Sequence, residues 1–155
     1  MAIIKLETKE EQTPYILSSG RAIVSADDSR KMEIIASCQP EINRLTQGIG
    51  YSWDEVGFAQ IFAQCYEQDT KYCPEAKSWY TYYEGAWRQD TGSLLVSQKI
   101  KEFYQLLYLY CGEITDLELR AQFFKFTLKL GDRRFRDRLL KDAADDERLI
   151  VICVP

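Results

Sequence analysis

Between Ser78 and Asp90 the chain reads Ser-Trp-Tyr-Thr-Tyr-Tyr-Glu-Gly-Ala-Trp-Arg-Gln-Asp. Aromatic and β-branched side chains favour an extended, pleated backbone. Glu84-Gly85 sits where such a backbone must reverse, and glycine admits the positive φ of a tight hairpin turn. The segment is predicted to be a β-hairpin, with Trp79, Thr81 and Tyr83 on one face and Tyr80 and Tyr82 on the other. Two uses of the rings are open. Trp79 and Trp87 can dock the hairpin onto helices, or exposed Tyr and Trp can stack on the bases of a single strand.

On either side of the hairpin the apolar period is helical. Val96, Ile100, Phe103, Leu107 and Tyr110 alternate spacings of four and three, which puts them on one stripe of a long helix that Gly112 ends. That stripe serves as intramolecular core or as a subunit contact. A helix over 116–129 is predicted to bury Leu117, Ala121, Phe124 and Leu128, with Gly131 after it. A third, over 132–144, buries Phe135, Leu139 and Ala143. Before the hairpin, Ser52 and Glu55 fit a capping box opening a helix over 53–67, with Ala59, Phe62, Ala63 and Tyr66 inward. Residues 29–47 read as a helix interrupted before Pro40, with a break at Gln47–Gly50. Ile3-Ile4 and Ala22–Val24 are short strand candidates, and Thr8–Pro14 reads as loop. Leu149–Val154 is a terminal strand that needs a partner, in the domain or in sequence outside this chain. The expected fold is mainly α (α+β): a helical bundle with an aromatic β-hairpin and a short C-terminal strand. An unassigned N-terminal extension (1–50) precedes a domain over 51–155.

Several chemistries lack their residues. The chain has no histidine, which removes the commonest general base and metal ligand. It has no GxxxxGK[ST] phosphate loop, no GxGxxG and no GxSxG elbow. Its five cysteines, Cys38, Cys65, Cys73, Cys111 and Cys153, are odd in number and lack CxxC spacing, so they read as reduced thiols rather than as a zinc site or a disulfide framework. The acids of Asp27-Asp28 and Asp145-Asp146-Glu147 read as solvated surface, with an Mg²⁺-dependent enzyme the remote alternative. No secretory signal and no membrane-length apolar run is present. The expectation is a non-enzymatic, cytoplasmic protein with no metal and no cofactor.

Charge is uneven. The chain totals −4, yet from Arg120 to Lys141 eight basic residues meet only Asp132 and Asp137, a local net of +6. On the helix after Gly131, Arg134, Arg138 and Lys141 share one face, flanked by Arg133 and Arg136, while Phe135, Leu139 and Ala143 point inward. Such a face can neutralise backbone phosphates, each arginine fork donating two hydrogen bonds. It can equally be a solubilising surface paired to neighbours such as Asp137 and Asp145. Lys125, Lys129, Arg133, Arg134, Arg136, Arg138 and Lys141 are the candidate nucleic-acid contacts.

The order of these signals resembles a known family. Ser52-Trp-Asp-Glu-Val-Gly-Phe-Ala59, then Trp79-Tyr80 leading through Glu84-Gly85-Ala-Trp87 to Asp90, is similar to the domain preceding the superfamily 3 helicase in phage and plasmid primase proteins and in the poxvirus primase–helicase. There too a WY…GxWxxD hairpin is followed by long helices and an apolar strand. The resemblance covers roughly residues 52–154. It implies a non-catalytic accessory domain, in a bacterial host cell, that helps assemble a helicase ring with neighbouring subunits and contacts single-stranded DNA weakly and salt-sensitively, with no membrane partner. It also implies that the ATPase motor lies outside this chain, which stops at Pro155 before the family's usual Phe-Asp stretch. Trp79, Gly85, Trp87 and Asp90 match its hairpin motif and read as structural: the glycine permits the turn, the tryptophans pack, and Asp90 caps the next helix. The rival is a stand-alone protein-interaction module that does not touch DNA.

Overall fold

The computed structural model describes residues 2–3, 15–16, 23–42 and 51–152. In chain order they form β1 (Ala2–Ile3), β2 (Tyr15–Ile16), β3 (Ile23–Val24), α1 (Ala26–Cys38), α2 (Glu55–Tyr66), β4 (Thr70–Cys73), β5 (Ser78–Tyr83), β6 (Ala86–Gln89), α3 (Leu94–Cys111), α4 (Leu117–Thr127), α5 (Arg133–Ala143) and β7 (Val151–Ile152). Short 3₁₀ turns, Thr91–Ser93 and Leu128–Gly131, lead into α3 and extend α4. The fold is mainly α with a small sheet, as the sequence indicates. The Thr8–Pro14 loop and the Gln47–Gly50 break lie outside the described residues.

The helices start and stop for local reasons. Ser25 caps α1 by accepting from the Asp28 N–H at 3.1 Å, and α1 ends at Gln39, whose left-handed conformation precedes Pro40. The cap of α2 is Asp54 and not Ser52: Asp54 Oδ1 accepts from the Gly57 N–H at 2.9 Å, and Ser52 Oγ donates to the same oxygen at 2.6 Å. Ser52 lies two residues before the cap, so it supports the cap instead of closing a box with Glu55. Gly57 is required here, since a Cβ on it would fall 1.8 Å from the Ser52 carbonyl oxygen.

The predicted stripes of α2, α3 and α5 are buried, and those helices share one core with Met32, Ile35 and Cys38 of α1. Edge-to-face rings join it, among them Phe58–Phe126 at 4.9 Å and Phe62–Phe103 at 5.5 Å between centroids. Helix α4 differs from expectation. Leu117 is 72% exposed and Leu128 45%, Ala121 is exposed and Phe124 only half-buried, while Phe123, Phe126, Thr127 and Leu130 face inward. The two apolar stripes compete, and the inner one wins by placing Phe123 and Phe126 against Trp53 and Phe58.

The hairpin forms as predicted, with Glu84 (φ 50°) and Gly85 (φ 79°) both in the left-handed region that its two-residue turn requires. It is two-thirds of a sheet of order β4-β5-β6; β4, with Lys71 and Tyr72 half-exposed, carries no strong pattern of its own. The terminal strand finds its partner at the other end of the chain. β7 runs parallel to β1, Ala2 opposite Val151 and Ile3 opposite Ile152, and the Tyr72 N–H donates to the Leu149 carbonyl at 2.8 Å.

Candidate nucleic-acid interface

Helix α5 carries the most divided surface of the described chain. Asp132 caps it by accepting from the Arg134 N–H at 2.8 Å. Phe135, Leu139, Leu140 and Ala143 are buried, and the helix packs on α2. Opposite the buried side, Arg134, Arg138 and Lys141 emerge on one exposed face.

The seven candidate cations are not equivalent. Lys125, Arg134 and Lys141 are exposed and make no ion pair with any described residue. Arg133 is exposed and only loosely paired to Asp137, at 3.9 Å. Lys129 lies over the Phe126 ring, 4.6 Å from its centroid. Arg136 is half-buried and donates to the Leu130 carbonyl at 2.8 Å, which holds the turn between α4 and α5. Arg138 donates through Nε to Glu55 Oε1 at 2.5 Å and tilts over the Phe135 ring, tying α5 to the start of α2. Arg134, Arg138 and Lys141 thus form the exposed face, Arg133 and Lys129 border it, Lys125 lies on α4, and Arg136 serves the backbone.

Beside this face a groove of about 370 Å³ is lined by Trp53, Asp54, Glu55, Lys129, Asp132, Phe135 and Arg138. Trp53 is fixed by its Nε1–H donating to the Pro40 carbonyl at 2.5 Å and by contacts with Phe123 and Phe126. A hydrogen bond from its own backbone N–H and another from Arg138 hold the Glu55 carboxyl below the usual range, so it stays ionised. Burial, then the charges of Glu55, Asp145 and Asp54, raise the Asp142 carboxyl. In the sequence Trp53-Asp54-Glu55 reads as the opening of a helix and as part of the family pattern; the signal for a groove is a tryptophan beside two acids in front of an apolar helix.

The family-motif residues sit in the sheet and its exit. Trp79 is buried, edge-on to Tyr72 at 5.1 Å between centroids, and Trp87 is half-buried against Tyr82 at 5.7 Å. Asp90 is buried and accepts from the Leu95 and Val96 N–H groups at 2.9 and 2.8 Å, covering the first turn of α3. Away from the basic face lies a buried polar cluster. Lys31, 2% exposed, pairs with Asp27 and Glu102 at 2.9 Å each and lies over the Tyr66 ring, and Tyr66 donates to Glu102. Burial pulls the Lys31 ammonium down, but the carboxylates of Asp69 and Glu102 outweigh it and hold it above its ordinary value. Cys38, Cys65, Cys73 and Cys111 are free and buried, and burial pushes the Cys111 thiol up to about 11; Cys153 lies outside the described residues. Among the described residues, no three acids and thiols gather as a metal site would need, and no helix is long and apolar enough to cross a membrane.

The family model described as D5 N terminal like matches residues 59–153, which runs from within α2 through the sheet, α3, α4 and α5 to the end of β7. This chain belongs to that family. The D5 N-terminal-like domain is the N-terminal domain of D5-type primase–helicase proteins. The matched span takes in the whole basic face and both tryptophans of the hairpin, while Trp53 and Glu55 lie just before it. No curated protein and no solved structure is matched by the chain.

Proposed function

We propose that this D5 N-terminal-like domain is a non-catalytic accessory domain of a phage-type replicative primase–helicase, acting in the bacterial cytoplasm. In this reading it holds single-stranded DNA on the outer face of α5 and helps its parent assemble as a ring. The observation that carries the DNA contact is the division of α5: its apolar side is anchored on α2, while Arg134 and Lys141 stand exposed with no ion pair to any described residue. Unpaired cations on a rigid helix neutralise phosphates with little reorganisation. The test is DNA binding after charge reversal. Arg138 is a poor choice for it, because a glutamate there would face Glu55. Arg134→Glu with Lys141→Glu leaves the α2–α5 pair intact and is expected to weaken single-strand binding at least about tenfold.

A second reading has its own observation. The outer stripe of α4, Leu117, Ala121 and Leu128, is exposed beside Tyr108, which packs edge-on to Phe124. Contiguous exposed apolar groups mark contact surfaces, so this face suits a protein-interaction module. If the double reversal leaves DNA binding unchanged, this second reading takes precedence.

A further inference from the structure

The groove beside α5 holds groups that phosphate binding does not need. Asp54, Glu55 and Asp132 bring three carboxylates next to two cations, Lys129 and Arg138, and a phosphate would be repelled there. A nucleobase would not. Trp53 and Phe135 supply apolar wall, and the Arg138 guanidinium, over the Phe135 ring, offers a plane on which a base can stack. The volume, about 370 Å³, falls at the small end of the roughly 300–1,000 Å³ typical of ligand pockets. Glu55 and Asp54 sit at the groove's wall as acceptors, fixed by Arg138 and by Ser52 and the Gly57 N–H. A carboxylate accepts a hydrogen bond from the exocyclic amine of cytosine. Thymine has no such amine, and its one pairing-edge donor, N3–H, lies between two carbonyl oxygens that would face the acids unfavourably.

We propose that this groove receives one base of a single strand and selects bases with an exocyclic amine, cytosine above thymine, while the sugar–phosphate chain passes outside along Arg134 and Lys141. The inference rests on the single-strand reading above and adds a specificity to it. Glu55 is the specificity-determining residue, and Trp53 and Arg138 shape the slot.

The experiment is fluorescence anisotropy with end-labelled 20-mers of deoxycytidine and of deoxythymidine, at pH 8 and low salt, using the full chain and its Glu55→Ala variant. Circular dichroism confirms that both are folded. The wild type is expected to bind the cytosine strand about fivefold more tightly, as one carboxylate–amine contact implies. Glu55→Ala is expected to bring the two strands within about twofold, since it removes both the acceptor for the cytosine amine and the repulsion of thymine's carbonyl oxygens. Equal wild-type affinity for both strands overturns the base slot and leaves the single-strand reading standing. A preference that survives Glu55→Ala overturns the role of Glu55. Binding to neither strand overturns both readings.

Discussion

At Gly57 and Asp90 single residues decide whether neighbouring elements meet. Gly57 lets the 52–54 turn lie against α2, and an added Cβ would strike the Ser52 carbonyl at 1.8 Å. Gly57→Ala is therefore expected to lose about 2 kcal/mol or more, as overpacking against backbone does, read as a lower Tm in a thermal melt. Asp90 satisfies two N–H groups at the start of α3. Asp90→Ala leaves them without it and is expected to cost about 2 kcal/mol, a fall in Tm of roughly 5 °C, with Asp90→Asn less damaging. Glu55 has a pH signature. Its carboxyl is held below the usual range, so its contribution is fully present above the ordinary value of 4.5 and is lost as pH falls through the folded value. The Tm gap between wild type and Glu55→Gln should be widest near pH 7 and close below pH 4.5; a gap that widens in acid would contradict the Arg138 pairing.

Among the elements, those with one dominant apolar stripe were readable. In α3 a single four-and-three repeat marks the core, and in β5–β6 the Glu84-Gly85 turn fixes the register. Helix α4 was misread because two stripes cross it, and choosing between them depends on Trp53 and Phe58, which reach it from distant sequence. The cap of α2 was misplaced by two residues for a related reason: Ser52, Asp54 and Glu55 all have capping chemistry, and only the backbone conformation selects Asp54. Strand β4 was missed since its pairing with β5 and its bridge to Ile150 are non-local. The outer stripe of α4 gives a prediction of its own. If it is a contact surface between copies of this chain, light scattering should show concentration-dependent association that Leu117→Glu with Leu128→Glu abolishes; a wild type that stays monomeric at high concentration removes self-association through this face.

For the molecule as a whole, the sequence showed the class, the family resemblance and the polarity of α5, and the structure separates the candidate cations by what they already hold. Arg136 is committed to Leu130 and Arg138 to Glu55, a distinction no helical wheel makes because both partners lie on other elements or turns. The groove at Trp53 is invisible in the sequence for the same reason: its walls come from Trp53, Asp54 and Glu55 together with Lys129, Asp132, Phe135 and Arg138. The chain's ends are joined by β1 and β7, which binds the first described residues to the last. The central claim, a single strand on the exposed face of α5, is tested most directly by a salt titration. A labelled mixed-sequence 30-mer is titrated with wild type and with Arg134→Glu/Lys141→Glu at 50 and 200 mM salt. About four phosphate contacts would weaken wild-type binding roughly 50-fold over that range, with the double reversal at least about tenfold weaker at low salt and shallower in its salt dependence. Wild-type binding that ignores salt, or a double reversal that binds as tightly as wild type, would contradict the account.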